Sequence, residues 1–282
     1  MKKVLIAGAT GYLGNYVAQA FKEENYYTKV MVRNLEKFKE KGINADEIIQ
    51  AEITRPETLI NICDDVDIVF TSVGITRQKD GFTYHDVDFQ GNLNLLNEAS
   101  KRSVEKFMYV SVYNGEKFKN LKICEAKEKF VEALRSSGLD YRVIRPTGYF
   151  SDMGEYFRMA QKGMVYIFGN GNNQINPISG KDLAKFCISA INTGRTEPEV
   201  GGPETFTHNQ IANLAFEVLG KPGKIVHLPM GIVKGAANIM RWLMSSETYG
   251  PFEFVATILS QNMVAPSFGS DKLENHFKSL KP

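Results

Sequence analysis

The sequence predicts an α/β protein built around a doubly wound parallel sheet, with a small C-terminal lobe on the substrate side. Short apolar runs alternate with helix-length amphipathic segments, which is the pattern of repeated βαβ units. The runs are rich in Val, Ile and Leu, as strands buried on both faces of a sheet require. A glycine-rich turn follows the first run directly, where a βαβ unit turns from strand to helix.

The alternation predicts six strands in the first half of the chain, at Val4–Ala7, Lys29–Val32, Glu47–Ala51, Ile68–Ser72, Phe107–Ser111 and Tyr141–Arg145. It predicts helices at Asn15–Glu24, Phe89–Ala99, Ala126–Arg135, Asp182–Asn192 and Asn209–Leu219. Because the pattern loosens after Arg145 into glycine- and asparagine-rich turns, we expect residues 1–150 to form the sheet core. Residues 151–282 then form mostly the substrate-side lobe of a single domain.

Composition narrows the class of protein. The chain has 282 residues, 43% hydrophobic and 23% charged, with a net charge of +2, so we expect a packed core and no nucleic-acid partner. The three cysteines are far apart, which predicts neither a disulfide framework nor a metal site. The first residues do not form a signal peptide, and no apolar stretch is long enough to cross a bilayer. We therefore expect a cytoplasmic protein with no transmembrane segment.

The glycine turn has the spacing GxxGxxG, in Gly8-Ala9-Thr10-Gly11-Tyr12-Leu13-Gly14. Gly8 permits a tight turn, Gly11 lets the backbone approach a pyrophosphate, and Gly14 lets the helix pack closely on the strand. Backbone N–H groups at the start of the helix then attract the phosphates. No Lys-Ser/Thr pair follows the last glycine, which excludes a P-loop. The motif predicts a Rossmann-type dinucleotide site.

The end of the second strand distinguishes the two nicotinamide cofactors. An NAD site usually places Asp or Glu there, to accept hydrogen bonds from the ribose hydroxyls. This chain has Arg33, which can pair with a 2′-phosphate through its planar, charged fork. The sequence therefore favours NADP(H), with a solvated surface arginine as the alternative interpretation.

Further segments resemble the atypical short-chain dehydrogenase/reductases, including their NmrA-like NAD(P)H-binding branch. They are Asp86–Asn92, Lys127 and Ile144–Phe150. Three later segments are similar to the divinyl chlorophyllide reductase-like group of that superfamily: Phe168–Gly171, Asn176–Ala184 and Gly201–Glu204. The resemblance covers most of the chain and implies a Rossmann fold, an NADP cofactor and a small-molecule substrate.

The resemblance also implies a Tyr-x-x-x-Lys pair, in which the tyrosine is the general acid and the lysine holds the nicotinamide ribose. This sequence has Lys127 but carries Ile123 four residues earlier. Lys127 is then expected to bind the ribose or to polarise or protonate a substrate itself, and a surface lysine is the alternative. Tyr113 and Tyr149 are the candidate proton donors, with packing aromatics as the alternative for both.

The predicted cofactor-binding residues follow the ends of consecutive strands, where short side chains such as Ser72 and Gly74 leave room for a cofactor. They are Gly8, Thr10, Gly11, Tyr12, Leu13, Gly14, Arg33, Glu52, Ile53, Ser72, Val73, Gly74, Ser111, Lys127 and Pro146. The four histidines have no partners in sequence and are expected to be structural or exposed, with His85 lying nearest the predicted cleft.

Three functions remain open from the sequence. The first is an NADPH-dependent reductase acting on an apolar organic substrate. The second is a non-catalytic NADP(H) sensor, regulator or assembly factor, with a protein partner or as a homodimer. The third is a sugar-nucleotide epimerase, which Ile123 disfavours because that reaction needs the tyrosine or an equivalent base. The Met- and aromatic-rich stretch at 228–259 is interpreted as core, as a lid, or as a surface that meets a partner or a membrane.

Overall fold

The computed structural model describes residues 1–75, 81–244 and 246–281. Two compact units are present. Unit 1 consists of Met1–Arg145 and Leu183–Pro198, and unit 2 consists of Pro146–Asp182 and Glu199–Pro282. The chain therefore enters unit 2 after the sixth strand, returns to unit 1 for one helix and a turn, and leaves it again. The interpretation as a single domain remains a prediction.

Eleven strands occur in the described residues: β1 Lys3–Ala7, β2 Tyr27–Val32, β3 Glu47–Gln50, β4 Ile68–Thr71, β5 Lys106–Val110, β6 Asp140–Pro146, β7 Met164–Phe168, β8 Gln174–Ile175, β9 Glu199–Val200, β10 Phe206–Thr207 and β11 Lys224–Leu228. Seven of them form a parallel sheet in the order β3-β2-β1-β4-β5-β6-β9. This is a Rossmann-like α/β fold, as the sequence predicts, and the six predicted strands are confirmed with ends shifted by a few residues.

Ten helices lie in the same residues: α1 Tyr12–Glu23, α2 Leu35–Glu40, α3 Asn92–Ser100, α4 Lys122–Arg135, α5 Phe150–Gln161, α6 Gly180–Ala190, α7 His208–Leu219, α8 Met230–Leu243, α9 Ser246–Leu259 and α10 Leu273–Ser279. A π-helical turn, His85–Gly91, runs directly into α3. Such turns are rare and are frequent at functional sites. Helix α5 was not predicted, because aromatic residues and Gly154 lower the helix propensity of a segment whose Phe150, Met153 and Phe157 nevertheless form a buried stripe.

Aromatic packing fixes helix α4 against the middle of the sheet in unit 1. The Phe130 ring lies 4.6 Å from that of Tyr109 in an edge-to-face arrangement, and 6.0 Å from that of Phe107. All three side chains are completely buried. Burying each large apolar side chain stabilises the fold by roughly 1.5–3 kcal/mol. This contact holds the residues of α4 at a defined place beside strand β5.

Unit 2 contains two small two-stranded sheets, β8 with β10 and β7 with β11. Helix α7 begins with a capping box between Thr207 and Gln210 and ends at Gly220, which adopts the left-handed conformation typical of helix C-termini. No helix among the described residues combines the length and hydrophobicity that a bilayer-spanning segment needs.

Candidate cofactor-binding site

The predicted cofactor residues of unit 1 lie at the carboxyl ends of its parallel strands. Strand β1 lies between β2 and β4, so the order of the sheet reverses beside β1. Doubly wound sheets bind ligands outside the carboxyl ends of the strands at this reversal. The glycine loop follows β1 directly, and Ser72, Val73 and Gly74 follow β4. The fold therefore brings two sets of residues, which the sequence predicts separately, to one edge of the sheet.

The glycine loop is tight enough to exclude side chains. Gly8 has φ +91°, and a Cβ on it would lie 2.9 Å from Ser72 Oγ. The N–H of Gly11 donates to the carbonyl of Gly8 at 2.9 Å. A Cβ on Gly14 would lie 2.1 Å from the Gly8 carbonyl oxygen and 2.8 Å from Cα of Ala9. These distances show a turn at Gly8 and a close helix–strand contact at Gly14. The close approach of a pyrophosphate to Gly11 remains a prediction.

Helix α1 begins at Tyr12 with a terminus suited to an anion. Its N-cap is Gly11, which has no side chain to satisfy the first N–H groups, and the first turn has no acidic residue. The helix dipole places partial positive charge at this terminus, and its N–H groups point outward. Leu13 is buried, while Tyr12 and Thr10 are half-buried. A dinucleotide pyrophosphate fits this cradle.

Two basic side chains flank the loop on the side of β2. Arg33 follows β2 with its side chain 68% exposed, and its Nη1 lies 3.9 Å from Glu52 Oε1. Glu52 also pairs with Arg55 at 3.2 Å. Lys41, at the end of α2, donates through Nζ to the carbonyl of Thr10 in the glycine loop. Lys41 is not among the site residues that the sequence predicts, although the lysines at alternate positions 37, 39 and 41 after β2 were a signal for it.

The end of β4 is fixed by a buried asparagine. Asn92 donates through Nδ2 to the carbonyls of Val73 and Asp88, at 3.1 and 3.0 Å, and its Oδ1 accepts from Thr71. Ile53 is buried against the π-helical turn, since a Cβ on Gly91 would lie 2.8 Å from Ile53 Cγ2. The predicted residues after β3 and β4 therefore both pack against the start of α3.

Lys127 forms an ion pair with Asp88, a residue that the sequence interpretation gave no role. Lys127 Nζ lies 2.8 Å from Asp88 Oδ1, and the two side chains are 14% and 0% exposed. The other carboxylate oxygen, Oδ2, accepts from the N–H of Ile75 at 3.1 Å. A Cβ on Gly74 would lie 2.5 Å from Asp88 Oδ1 and 2.8 Å from Lys127 Nζ. Lys127 is thus not a surface lysine, and it lies against the predicted cofactor residues after β4.

Burial changes the pKa of acidic groups around Lys127. Burial raises the pKa of the Asp88 carboxyl, and the Lys127 ammonium only partly offsets that effect. The Lys127 ammonium also lies 5.6 Å from the ring centroid of Tyr109, which is completely buried. Burial raises the pKa of the Tyr109 phenol, so it stays neutral. Asp88 lies between Val87 and Phe89 in the sequence segment that resembles the family, and this was the signal that could have revealed it, because a buried charge requires a partner.

Ser111 belongs to a second buried network. Its hydroxyl donates to Glu128 Oε1 at 3.1 Å. Glu128 is 1% exposed and binds Arg145 through two parallel hydrogen bonds of 2.7 and 2.9 Å. Arg145 also contacts Glu197 at 2.9 Å. Hydrogen bonds to the two glutamates raise the pKa of Arg145 further than burial lowers it. The network anchors Glu128, the residue after Lys127, to the ends of β5 and β6.

The predicted proton donors are not beside Lys127 on its helix. Ile123, four residues before Lys127, is 6% exposed and carries no hydroxyl. Tyr113 is half-buried in the turn after β5. Pro146 and Tyr149 belong to unit 2, where the N–H of Tyr149 donates to the Asp152 carboxylate at the start of α5. Their roles, like those of the other predicted site residues, remain predictions.

A family comparison supports the cofactor interpretation. The sequence profile of a family described as NAD(P)H-binding matches residues 8–194, which is more than half of the chain. The chain belongs to this NAD(P)H-binding family. The match begins at Gly8 and includes the Asp88–Lys127 pair. Within the described residues, no group of three metal-binding side chains occurs.

The names of two relatives state different functions, an assembly factor and a reductase. The chain is 27% identical over 243 residues to Photosystem II assembly factor Ycf39 of Trieres chinensis, covering 84% of this chain and 75% of that protein. It is 24% identical over 318 residues to the divinyl chlorophyllide a 8-vinyl-reductase of Cucumis sativus, covering 98% and 75%. The second match confirms the resemblance to divinyl chlorophyllide reductase-like proteins.

A solved structure shows the same fold. Leucoanthocyanidin reductase of Vitis vinifera in its binary complex with NADPH matches with a TM-score of 0.77 at 18% identity, over 98% of each chain. This confirms a Rossmann-like α/β fold.

Proposed function

We propose that the protein is an NADPH-dependent reductase of an apolar organic substrate. The observation that carries the proposal is the single edge formed by the glycine loop, the end of β4 and Lys127. Gly8 and Gly14 leave no room for side chains, and Lys127 is presented there by a buried carboxylate. When bound, NADPH supplies the hydride, and the protein residues bind and orient the cofactor.

NADP(H) is favoured over NAD(H) by two cations beside the loop. Arg33 is exposed at the end of β2, and Lys41 is held against the loop through Thr10. A 2′-phosphate accepts charge-assisted hydrogen bonds from both groups. Glu52, which the sequence also predicts to bind the cofactor, lies 3.9 Å from Arg33 Nη1 through its Oε1.

Lys127 is proposed to hold the nicotinamide ribose and to stay positively charged. Asp88, buried behind it, stabilises the ammonium and leaves 14% of the side chain exposed. A fixed ammonium polarises an electron-accepting group of the substrate without first losing a proton. This role requires no tyrosine at position 123, whereas epimerisation requires that tyrosine or an equivalent base, so an epimerase is the weaker interpretation.

A second candidate is a non-catalytic NADP(H)-binding assembly or regulatory protein. Buried Ile123 supports it, because position 123 offers no hydroxyl one helical turn before Lys127. One relative is named as an assembly factor.

Calorimetric titration with NADPH and NADH tests the proposal. We expect the wild-type protein to bind NADPH more tightly than NADH. The Arg33→Ala variant should lose about tenfold or more in NADPH affinity, while its NADH affinity should change little. Lys41→Ala should act in the same direction, whereas Lys37→Ala, on the same helix, serves as the control. Binding of neither nucleotide would overturn the proposal.

Turnover distinguishes the two candidates. Oxidation of bound NADPH by activated alkenes, including vinyl compounds and enones, would support the reductase. Tight binding without turnover over a broad panel of such acceptors would support the second candidate.

A further inference from the structure

Three groups of unit 1 surround the ammonium of Lys127. Asp88 Oδ1 lies 2.8 Å from Nζ, and the ring centroid of Tyr109 lies 5.6 Å from it. A Cβ on Gly74 would lie 2.8 Å from Nζ, so the backbone after β4 closes a third side. A lysine side chain is a point charge on a flexible four-carbon stem. One carboxylate neutralises that charge, but the orientation of the stem depends on what packs around it.

The register of β5 and α4 brings the Tyr109 ring to Lys127. Phe107 and Tyr109 are two residues apart in β5, so their side chains point to the same face of the sheet. Both rings contact that of Phe130 on α4, at 6.0 and 4.6 Å. Lys127 lies three residues before Phe130 and therefore on the same face of the helix. Tyr109, nearer the carboxyl end of β5, thus packs between α4 and the sheet beside the ammonium.

We propose that Tyr109 is a positioning residue for Lys127, whose ring holds the ammonium in the orientation in which it meets a bound cofactor. The proposal rests on the function of Lys127 proposed above. A cation within about 6 Å of a ring centroid is attracted by the negative face of the ring, more strongly where water is excluded. The Tyr109 ring is completely buried and the Lys127 side chain is 14% exposed, so little water competes for the ammonium.

An ammonium held in advance makes cofactor binding less costly. A lysine that is free to change rotamers loses that freedom when it binds a ligand, and the loss weakens affinity. The Asp88 carboxylate, the Gly74 backbone and the Tyr109 ring restrict those rotamers before any ligand arrives. Removal of the ring should therefore lower the affinity for NADPH although Tyr109 itself has no exposed surface to offer a cofactor.

The ring of Tyr109, and not its hydroxyl, has this role. Across the part of the chain that the structure describes, the hydroxyl has no hydrogen-bond partner. It is also completely buried, so it does not reach a substrate. Tyr109 acts through Lys127 and is not a catalytic residue. It therefore does not replace the tyrosine that the family resemblance implies at position 123.

Calorimetric titration of the full-length protein with NADPH tests the role of the ring. Tyr109→Leu removes the ring and should weaken binding about tenfold. Tyr109→Phe keeps the ring and should bind within about twofold of wild type. Phe107→Leu is the matched control, because it removes an equally buried aromatic ring from the same strand. It should also bind within about twofold of wild type.

Two results of this titration would overturn the proposal. Equal losses of affinity in Tyr109→Leu and Phe107→Leu would show a general effect of core packing. A loss in Tyr109→Phe as large as in Tyr109→Leu would assign the effect to the hydroxyl. If the leucine variant does not fold, Tyr109→Met replaces it, since the flexible methionine side chain fills irregular gaps in a core.

A double-mutant cycle on unfolding tests the contact without any cofactor. Tyr109→Leu and Phe107→Leu are each made in wild type and in the neutral background Asp88→Asn with Lys127→Gln. In denaturant unfolding, Tyr109→Leu should raise the unfolding equilibrium constant about tenfold more in wild type than in the neutral background. Phe107→Leu should raise it equally in both.

The cycle also separates this proposal from that of the cofactor. An equal effect of Tyr109→Leu in both backgrounds would overturn the positioning role, whether or not NADPH binds. Wild-type protein that binds no nucleotide but shows the coupling between Tyr109 and Lys127 would overturn the cofactor proposal, and with it the functional part of this one.

Discussion

At the scale of single residues, the Asp88–Lys127 pair is the feature that most constrains function. A carboxylate with no exposed surface is unfavourable unless a cation compensates it, and here the cation is the residue that the family resemblance singles out. The sequence predicted Lys127 because a motif marks it. It did not predict Asp88, because the pairing joins the π turn before α3 to the first turns of α4.

Asp88→Asn should destabilise the protein by about 3 kcal/mol. The substitution leaves the Lys127 ammonium largely buried without its counter-charge, and breaking one partner of a buried pair has this order of effect. Denaturant unfolding monitored by circular dichroism measures the loss, and calorimetry should show weaker NADPH binding.

The double variant Asp88→Asn with Lys127→Met is the control. Removing both charges should recover part of the lost stability, since no uncompensated charge remains. It should not recover NADPH affinity, because the ammonium is gone. An Asp88→Asn protein as stable as wild type would contradict the role assigned to the pair.

At the scale of secondary-structure elements, the start of α1 packs against the glycine loop after β1 so closely that only glycine fits at position 14. The periodicity of apolar residues predicted the strands well, because buried parallel strands are continuous apolar runs. It predicted helix starts less well, since α1 begins at Tyr12 and not at Asn15. Local sequence does not show how tightly the glycine turn winds.

Gly14→Ala tests the close packing of this helix on the strand. Exchange of glycine for alanine inside a helix normally stabilises it by about 1 kcal/mol. Here the new Cβ would lie 2.1 Å from the Gly8 carbonyl oxygen, so the backbone must shift, and we expect a net loss of roughly 3 kcal/mol. Thermal or denaturant unfolding gives the sign of the change directly.

Gly194→Ala provides the matched comparison for that substitution. A Cβ on Gly194 meets no atom within 4 Å. The free energy of unfolding of the Gly194→Ala variant should therefore stay within about 0.5 kcal/mol of wild type. If Gly14→Ala were as stable as Gly194→Ala, the close helix–strand contact would not exist in solution.

At the scale of the whole molecule, pH should affect stability through a buried histidine in unit 2. His208 is 1% exposed, its Nδ1 lies 2.9 Å from the Tyr156 hydroxyl, and the two rings are nearly parallel. Burial lowers the pKa of His208 to about 4. The sequence gave this histidine no partner, because Tyr156 lies on a different helix, α5.

The unfolded chain binds a proton at His208 below about pH 6.5, whereas the folded chain binds it only below about pH 4. The unfolded state therefore holds more protons between these values, and stability falls as the pH is lowered through this window. The full contribution is present above pH 6.5 and amounts to roughly 3 kcal/mol. Unfolding free energies measured from pH 7 to pH 4 should show this decline.

His208→Gln should flatten that decline, because glutamine does not titrate in this range. The exposed His227→Gln is the control and should leave the slope unchanged. Equal slopes for wild type and His208→Gln would show that other groups cause the acid sensitivity.

The sequence by itself determined the order of the strands in unit 1, the order of its helices other than α2, and the place of the glycine loop, and a family resemblance singled out Lys127. These features depend on local periodicity and on motifs that are contiguous in the chain. Only the tertiary structure decided that Asp88 faces Lys127 and that Lys41 donates to the Thr10 carbonyl of the glycine loop. It also decided that Ser111 donates to Glu128, and that Ile232, Ile239 and Leu243 of α8 are exposed. The physical reason is that burial and ion pairing depend on which segments meet in space, and residues distant in the sequence carry no local signal of that meeting.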